Sequence, residues 1–341
     1  MQGAKKFLSI GLLVVTMATA ACGGDDDAGS AENAVTTTAA ATSTGDSTAG
    51  TPTELTPITV GILPIADLAP LYHGISEGFF AEEGLDVTLE VGQGGAALVP
   101  AVVTGDYQFA FGNYVSLMLA RQNDVDVQIV TNIVNGAESA DRGTNGLLVD
   151  PDRIGGIEDL AGKTFAVTTL NNVAEVTIRT TLRNAGVDDA DVKFVELPFP
   201  DMNAAIEAGE VDVAWQAEPF VTIGEAAGLV NVADPMYGTT PSMPLAGIFA
   251  AESWLSDNAE QAAAFQRAMT RSLEAGSDPE AMKAAITANT QTPAELIDQI
   301  ALANWNPDLD TEKLAMVGGL AAEYGLLDAA PNLDELVWSA S

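Results

Sequence analysis

Short apolar runs alternate with amphipathic stretches through most of this chain. Ile58-Thr-Val-Gly-Ile62 has the length and composition of a buried strand. Leu71, Ile75 and Phe79 follow at i, i+4 and i+8, the spacing of one helix face, with Asp67 placed to cap its start. Gly84 stops this helix and residues 85–89 read as the next strand. Gly92 to Gly95 opens a helix over residues 96–104, Gly105 closes it, and residues 107–111 form a third strand. A helix over 114–121 and a strand over 127–130 complete the series. Such alternation predicts parallel sheets with crossover helices, an α/β fold.

The same pattern then recurs. Residues 163–167 read as a strand, 174–184 as a helix ended by Gly186, and 192–195 as a strand. Asp201 is placed to cap a helix over 202–208, Gly209 to end it, and 211–215 is a third strand. Residues 101–111, AVVTGDYQFAF, match residues 205–215, AIEAGEVDVAW, in their order of helix, glycine and strand. Two similar lobes are the simplest expectation. After Pro244 comes one apolar strand over 245–250, then a nearly all-helical stretch with candidates at 258–275, 279–287, 293–303, 311–324 and 333–337. Helices without a new sheet must pack on existing ones, so the chain is expected to return to the first lobe.

The N-terminal segment adds a destination. Lys5 and Lys6 precede an uncharged stretch over residues 7–21, the composition of a secretory signal. It is shorter than the roughly 20 apolar residues that span a bilayer. The stretch ends Thr19-Ala20-Ala21-Cys22-Gly23, and Cys22 is the only cysteine of the sequence. This resembles the lipobox of bacterial lipoproteins, with Thr19 where that motif carries Leu, and implies lipidation of Cys22. Residues 23–57 are mostly Gly, Ser, Thr, Ala and Asp, too polar to fold, and read as a disordered tether. One cysteine excludes an intrachain disulfide, a multi-cysteine zinc site and a dithiol redox pair. Residues 58–341 carry 11 basic and 42 acidic side chains, a balance of −31. Nucleic-acid binding and electrostatic attachment to anionic membranes are therefore not expected.

Residues 69–87, APLYHGISEGFFAEEGLDV, resemble the opening of the nitrate-, sulfonate- and taurine-binding proteins of ABC importers, a family that also includes binders of a pyrimidine precursor of thiamine. Residues 104–111 (TGDYQFAF), 160–167 (LAGKTFAV) and 201–220 (DMNAAIEAGEVDVAWQAEPF) fit the same family in its order. The resemblance implies a periplasmic-binding-protein type II-like fold: two α/β lobes, joined by two crossover segments, with a ligand cleft between them. Lobe 1 would comprise residues 58–145 plus 245–341, lobe 2 residues 146–244, and the crossovers would fall near 144–150 and 241–246. It further implies a monomer, lipid-anchored at the extracytoplasmic face of the cell membrane, that hands a small molecule to an ABC permease and its ATPase. No cofactor, metal or catalytic residue is expected.

Ligands of open parallel sheets bind beyond the carboxyl ends of the strands, where helix N-termini present free N–H groups. That rule selects Asp67 and Leu68 after the first strand, Gly94, Gly95 and Ala96 after the second, and Asn113 and Tyr114 after the third. In lobe 2 it selects Thr168, Thr169, Asn171 and Asn172. Asn135, Trp215 and Glu218 complete the candidate set. His73, the one histidine, falls off its helix's apolar stripe and reads as packing. An anion would suit the helix N-termini, yet only Arg121, Arg142, Arg153 and Lys163 stand near candidate loops, and none matches a family anion contact. Asp67 and Leu68 also replace the aromatic and histidine typical of pyrimidine binders. The solute is therefore left open among sulfonate, nitrate, taurine-like and small aromatic or heterocyclic compounds. The alternatives are a thiamine-pyrimidine-synthase-like enzyme, which uses clustered cysteines and histidine, and a ligand-sensor module, which needs an attached signalling region.

Overall fold

The computed structural model describes residues 54–92, 94–139 and 143–339. Cys22, most of the expected tether and Arg142 lie outside them. The first series runs β1 (Thr56–Ile62), α1 (Ala69–Ser76), α2 (Phe79–Glu82), β2 (Leu85–Val91), α3 (Gly95–Thr104), β3 (Phe109–Asn113), α4 (Tyr114–Gln122) and β4 (Val127–Asn135). The second runs β5 (Asn145–Val149), β6 (Thr164–Val167), α5 (Val173–Asn184), β7 (Lys193–Glu196), α6 (Phe199–Ala208), β8 (Val213–Ala217), α7 (Phe220–Ala226), β9 (Val230–Asn231) and α8 (Pro235–Thr239). The last part comprises β10 (Pro244–Ala251), α9 (Glu252–Asp257), α10 (Ala259–Glu274), α11 (Pro279–Asn289), β11 (Asn304–Trp305), α12 (Thr311–Glu323) and α13 (Leu333–Leu336).

The strands form two sheets. One has the order β2-β1-β3-β10-β4-β11, the other β7-β6-β8-β5-β9. Read by position, the first five strands of each are equivalent. β1 pairs in parallel with β2 and β3, as β6 does with β7 and β8. β10 then runs antiparallel to β3 and β4, and β5 antiparallel to β8 and β9. The strand that reverses each sheet is therefore the first one reached after the chain crosses from the other lobe.

The repeat seen in the sequence extends to individual hydrogen bonds. Gly105 and Gly209 both take a left-handed backbone at a helix end, φ 82° and 73°, where glycine has no Cβ to clash. The N–H of Gln108 donates to the Thr59 carbonyl (3.0 Å) and its side-chain oxygen accepts from the Thr59 N–H (2.8 Å). Asp212 makes the same pair with Thr164, at 3.0 and 2.9 Å. In both lobes a side chain with an acceptor oxygen thus continues the ladder just before the third strand begins.

Each lobe has its own aromatic centre. Phe109 and Phe265 stack at 4.1 Å, with Phe80 and Trp254 at 5.2 and 5.0 Å from one or the other. In the second lobe Phe199 lies between Trp215 (6.2 Å) and Phe220 (6.1 Å). The C-terminal helix α12 reaches across to α5. Tyr324 and Thr180 hydroxyls meet at 2.9 Å, and Arg183 pairs with Glu323 at 3.0 Å beside the Tyr324 ring.

Several expectations need correction. β1 begins at Thr56, inside the stretch read as tether, because Thr56 and Pro57 continue the parallel register with Leu85 and Asp86. Phe79 does not share a helix with Leu71 and Ile75. Gly78 adopts φ 80° and divides α1 from α2. Asp67 caps nothing; it sits inside a 3-10 turn, Ala66–Leu68, preceded by extended Ile65. Asp201 is likewise no cap. Its helix starts earlier, at Phe199, and the carboxylate occupies the first turn, where it still favours the helix dipole. The helix expected over 293–303 shrinks to a 3-10 stretch, Ala294–Gln299, after which Ile300 is extended and β11 adds an unforeseen edge strand. Finally, residues 145–149 and 244–251 are sheet strands, so the chain crosses between lobes over 136–144 and 240–243.

Gly247 shows how tightly the first sheet is built. A Cβ there would stand 2.2 Å from the Thr131 carbonyl oxygen and 2.6 Å from the Tyr114 hydroxyl. Backbone cannot yield as a side-chain tip does, so Gly247→Ala should destabilise by about 1–3 kcal/mol or more. Chemical denaturation monitored by circular dichroism measures this; an unchanged midpoint would contradict the packing.

Candidate functional site

A narrow cavity lies where the loops of the two sheets face each other. Leu63, Ile65, Asp67, Gly95, Phe111, Asn113, Leu245 and Ala246 line it from the first sheet's side. Asn145, Thr168, Asn172, Val173, Phe199, Trp215 and Ala217 line it from the second. Its volume is only about 40 Å³, room for a few waters, so the walls stand close together. Gly94 approaches the opposite wall: a Cβ there would lie 2.8 Å from Thr169 Oγ1 and 3.2 Å from the Thr168 carbonyl oxygen.

Six residues selected from the sequence line the cavity: Asp67, Gly95, Asn113, Thr168, Asn172 and Trp215. Asn113 and Asn172 also hold helices. Asn113 Oδ1 accepts from the Ser116 N–H (3.0 Å) at the start of α4, and Asn172 Oδ1 from the Ala174 N–H (2.9 Å) at the start of α5. Capping places both amides at the cleft wall. Trp215 spends its indole N–H on Thr177 Oγ1 (3.2 Å), which leaves the ring's apolar surface for the cavity.

Other candidates lie elsewhere. Leu68 is fully buried in the core. Ala96 follows Gly95 into α3 without reaching the cavity lining. Gly95 itself faces β3: a Cβ would meet Gly112 Cα at 3.0 Å, so a larger residue there disturbs helix-strand packing as well as the cleft. Tyr114 and Asn135 belong to a structural network. The Tyr114 hydroxyl donates to Asn132 Oδ1 (2.5 Å), and Asn132 Nδ2 donates to Asn135 Oδ1 (3.2 Å) and the Asn306 carbonyl (2.5 Å), tying the C-terminal segment to β4. Asn171 is exposed at φ 54°, its N–H donating to Glu175 Oε1. The half-buried Thr169 faces Gly94. Glu218 is fully buried, its backbone bonded to Ala66 and Thr144.

Among the described residues, none of the cations near candidate loops, Arg121, Arg153 and Lys163, lines the cavity. Arg121 pairs with Glu252 at 2.6 Å, and Arg153 with Asp150 at 2.8 Å and the Ile206 carbonyl. His73 packs edge-on against Phe79 at 6.0 Å.

Among the described residues, Asp67 is the one ionisable side chain of the lining. It is 2% exposed and Oδ1 has no hydrogen-bond partner. Burial, reinforced by the charge of Glu218, pushes its pKa up to about 7. Its backbone carbonyl accepts from the Trp305 indole N–H (2.8 Å), so β11 helps to hold the turn in place. The sequence signals missed Asn145, because a single Asn before an apolar run has no periodicity to mark it. They also missed Phe111, Phe199 and the apolar wall, whose spacing is that of ordinary core.

The family model described as NMT1/THI5 like matches residues 65–282. The chain belongs to this family. Among its relatives, it is 24% identical to the riboflavin-binding protein RibY of Chloroflexus aurantiacus over 79% of this chain and 73% of that protein. It is 23% identical to YtlA of Bacillus subtilis over 60% of this chain, spanning only 61% of the relative's length. Among solved structures, the ligand-binding component of an ABC-type import system from Staphylococcus aureus superposes with TM-score 0.72, at 15% identity, over 84% of this chain and 99% of that one. The alkanesulfonate-binding protein SsuA from Xanthomonas axonopodis pv. citri superposes with TM-score 0.71, at 14% identity, with the same coverage. These likenesses identify the fold as that of periplasmic binding proteins.

The raised pKa of Asp67 makes stability depend on pH. An unfolded Asp titrates near 3.9, so the folded protein holds the extra proton between about pH 4 and 7. Stability is therefore lost as pH rises through that window and the buried carboxyl must ionise. Asp67→Asn removes the titration and keeps the shape. Its melting temperature should exceed wild type increasingly from pH 4 to 8, by up to about 4 kcal/mol of stability. A pH-independent difference would refute the assignment.

Proposed function

We propose that this protein is the extracytoplasmic solute-binding component of an ABC importer, which captures a small molecule between its lobes and performs no chemistry on it. The observation that carries this reading is the cavity at the carboxyl ends of β1, β3 and β6, walled by both sheets. Relatives and structural neighbours named for binding and import support it. We take residues 58–144 plus 244–341 as lobe 1 and residues 145–243 as lobe 2, one residue from the expected bounds because Asn145 opens β5 and Pro244 opens β10. Ligand contact is assigned to the cavity-lining candidates Asp67, Gly95, Asn113, Thr168, Asn172 and Trp215, with Gly94 and Thr169 at the rim. The lining offers one carboxyl, three amides, a hydroxyl and aromatic faces, a set suited to recognition. The protein acts as a monomer and reaches its permease from a lipid anchor at Cys22. Among the described residues no helix is long and apolar enough to cross a membrane.

Two measurements test this. A bound solute must stabilise the folded clamp, by about 2.7 kcal/mol at a hundredfold excess over Kd, and close it. A thermal-shift screen of several hundred metabolites, followed by small-angle scattering, should find a stabilising compound that compacts the protein. A hit without compaction would argue for a rigid receptor. Separately, the full-length protein should fractionate with membranes and Cys22→Ala should release it; a wild type found wholly in the soluble fraction would remove the anchor.

A further inference from the structure

We infer that Asp67 and Asn145 are the paired recognition groups of the cleft, and that they select a flat solute, uncharged or cationic, which presents an N–H or O–H donor to Asp67 and an acceptor to Asn145. The inference deepens the solute-binding reading and rests on it.

Among the described residues, five buried side-chain polar atoms have no hydrogen-bond partner. Only two of them, Asp67 Oδ1 and Asn145 Nδ2, belong to residues that line the cavity. Both residues are almost wholly buried, 2% and 1% exposed. One unpaired atom is an acceptor and the other a donor, and leaving either dry and unpaired is unfavourable. They also stand on opposite lobes. Asp67 lies in the turn after β1, whereas Asn145 is the first residue of β5, where the chain enters the second sheet. A solute that bonds to both joins the lobes, so recognition and closure become the same event.

The other polar groups of the wall are largely spent. Asn113 bonds to Ser116 through both side-chain atoms, Asn172 Oδ1 caps α5, and the Trp215 N–H is taken by Thr177. Besides the Thr168 hydroxyl, the wall around the Asp67 and Asn145 groups is mostly apolar, with rings from Phe111, Phe199 and Trp215 that pack best against a flat solute. Charge decides the rest. Among the described residues no Lys or Arg lines the cavity, and Glu218 lies close enough to Asp67 to act on its ionisation. A sulfonate or nitrate would be desolvated beside carboxyl groups with no counter-charge. The cleft is thus built against the anions that proteins of this shape include among their ligands.

The test uses the mature protein at pH 8 and a thermal-shift library in two panels. One contains anions, including nitrate, sulfate and ethanesulfonate. The other contains uncharged N-heterocycles with a ring N–H beside a carbonyl, including uracil, hypoxanthine and riboflavin. Hits are expected from the heterocycle panel alone. Calorimetry on each hit should then show Kd rising roughly 5- to 100-fold in Asp67→Ala and in Asn145→Ala, and less in Asp67→Asn, which keeps an acceptor oxygen. Far-UV circular dichroism should match wild type in all three. An anion bound by wild type with sub-millimolar Kd would overturn the assignment while leaving the solute-binding reading intact, and that outcome needs no variant. A heterocycle whose Kd stays within twofold in both alanine variants would overturn it as well. Silence from both panels would count against solute binding itself, and the assignment would fall with it.

Discussion

One buried residue holds the parts of this molecule in register. Glu218 is fully buried at the end of β8, and its backbone and side chain bond to four separate segments. Its N–H donates to the Thr144 carbonyl on the crossover into the second lobe (2.9 Å), and its carbonyl accepts from Ala66 N–H after β1 (2.9 Å). Its carboxylate accepts from the Thr222 N–H and hydroxyl (3.0 and 2.8 Å) and from the Ala301 N–H (3.1 Å). A carboxylate buried this deeply is tolerable only when donors surround it, and removing one donor would leave a costly charge behind. The knot therefore fixes the first-lobe turn, the crossover, α7 and the C-terminal segment at one point. The Ala301 N–H pointing to Glu218 also explains why the 3-10 stretch before it does not continue as a helix.

That knot sits behind the cleft, and its electrostatic consequence falls on Asp67. The turn that carries Asp67 is held by Ala66 on one side and by the Trp305 indole on the other. Its carboxyl is thus placed beside an existing buried charge with no partner of its own. A protein accepts such a cost where a ligand removes it, and the unpaired amide of Asn145 across the cleft supplies the complementary half. The raised pKa of Asp67 and the selectivity against anions follow from the same placement.

The internal repeat explains why the cleft lies where it does. Both sheets have the same strand order and the same ladder-extending residue, Gln108 or Asp212, ahead of the third strand. Equivalent strand ends then face each other across the crossovers, and helices α4 and α5 begin at the wall with Asn113 and Asn172 as their caps. Two copies of one supersecondary plan, joined face to face, make a cleft whose walls are loop ends and helix starts. Departures from the repeat fall at its margin: β11 and α12 have no counterpart in the second lobe, and both tie the C-terminal segment to the cleft's supports.

The sequence by itself determined the α/β class, the twofold plan and most element positions. These depend on local signals: apolar periodicity, and glycine at helix ends such as Gly105 and Gly209, where only a residue without Cβ turns easily. The loops it selected include those of the cavity wall, because cavity-lining Asp67, Gly95, Asn113, Thr168 and Asn172 all follow strands. Only the tertiary structure decided which loop residues meet. Tyr114 and Asn135 have the polarity of ligand groups, yet Asn132 engages both, a long-range pairing with no local trace. Asn171 and Asn172 are neighbours of one type, but one is exposed at positive φ and the other is buried at the wall. Asn145 became visible only when β5 placed it opposite Asp67. Burial and the absence of a partner are properties of packed neighbours, and no residue carries them in its own identity.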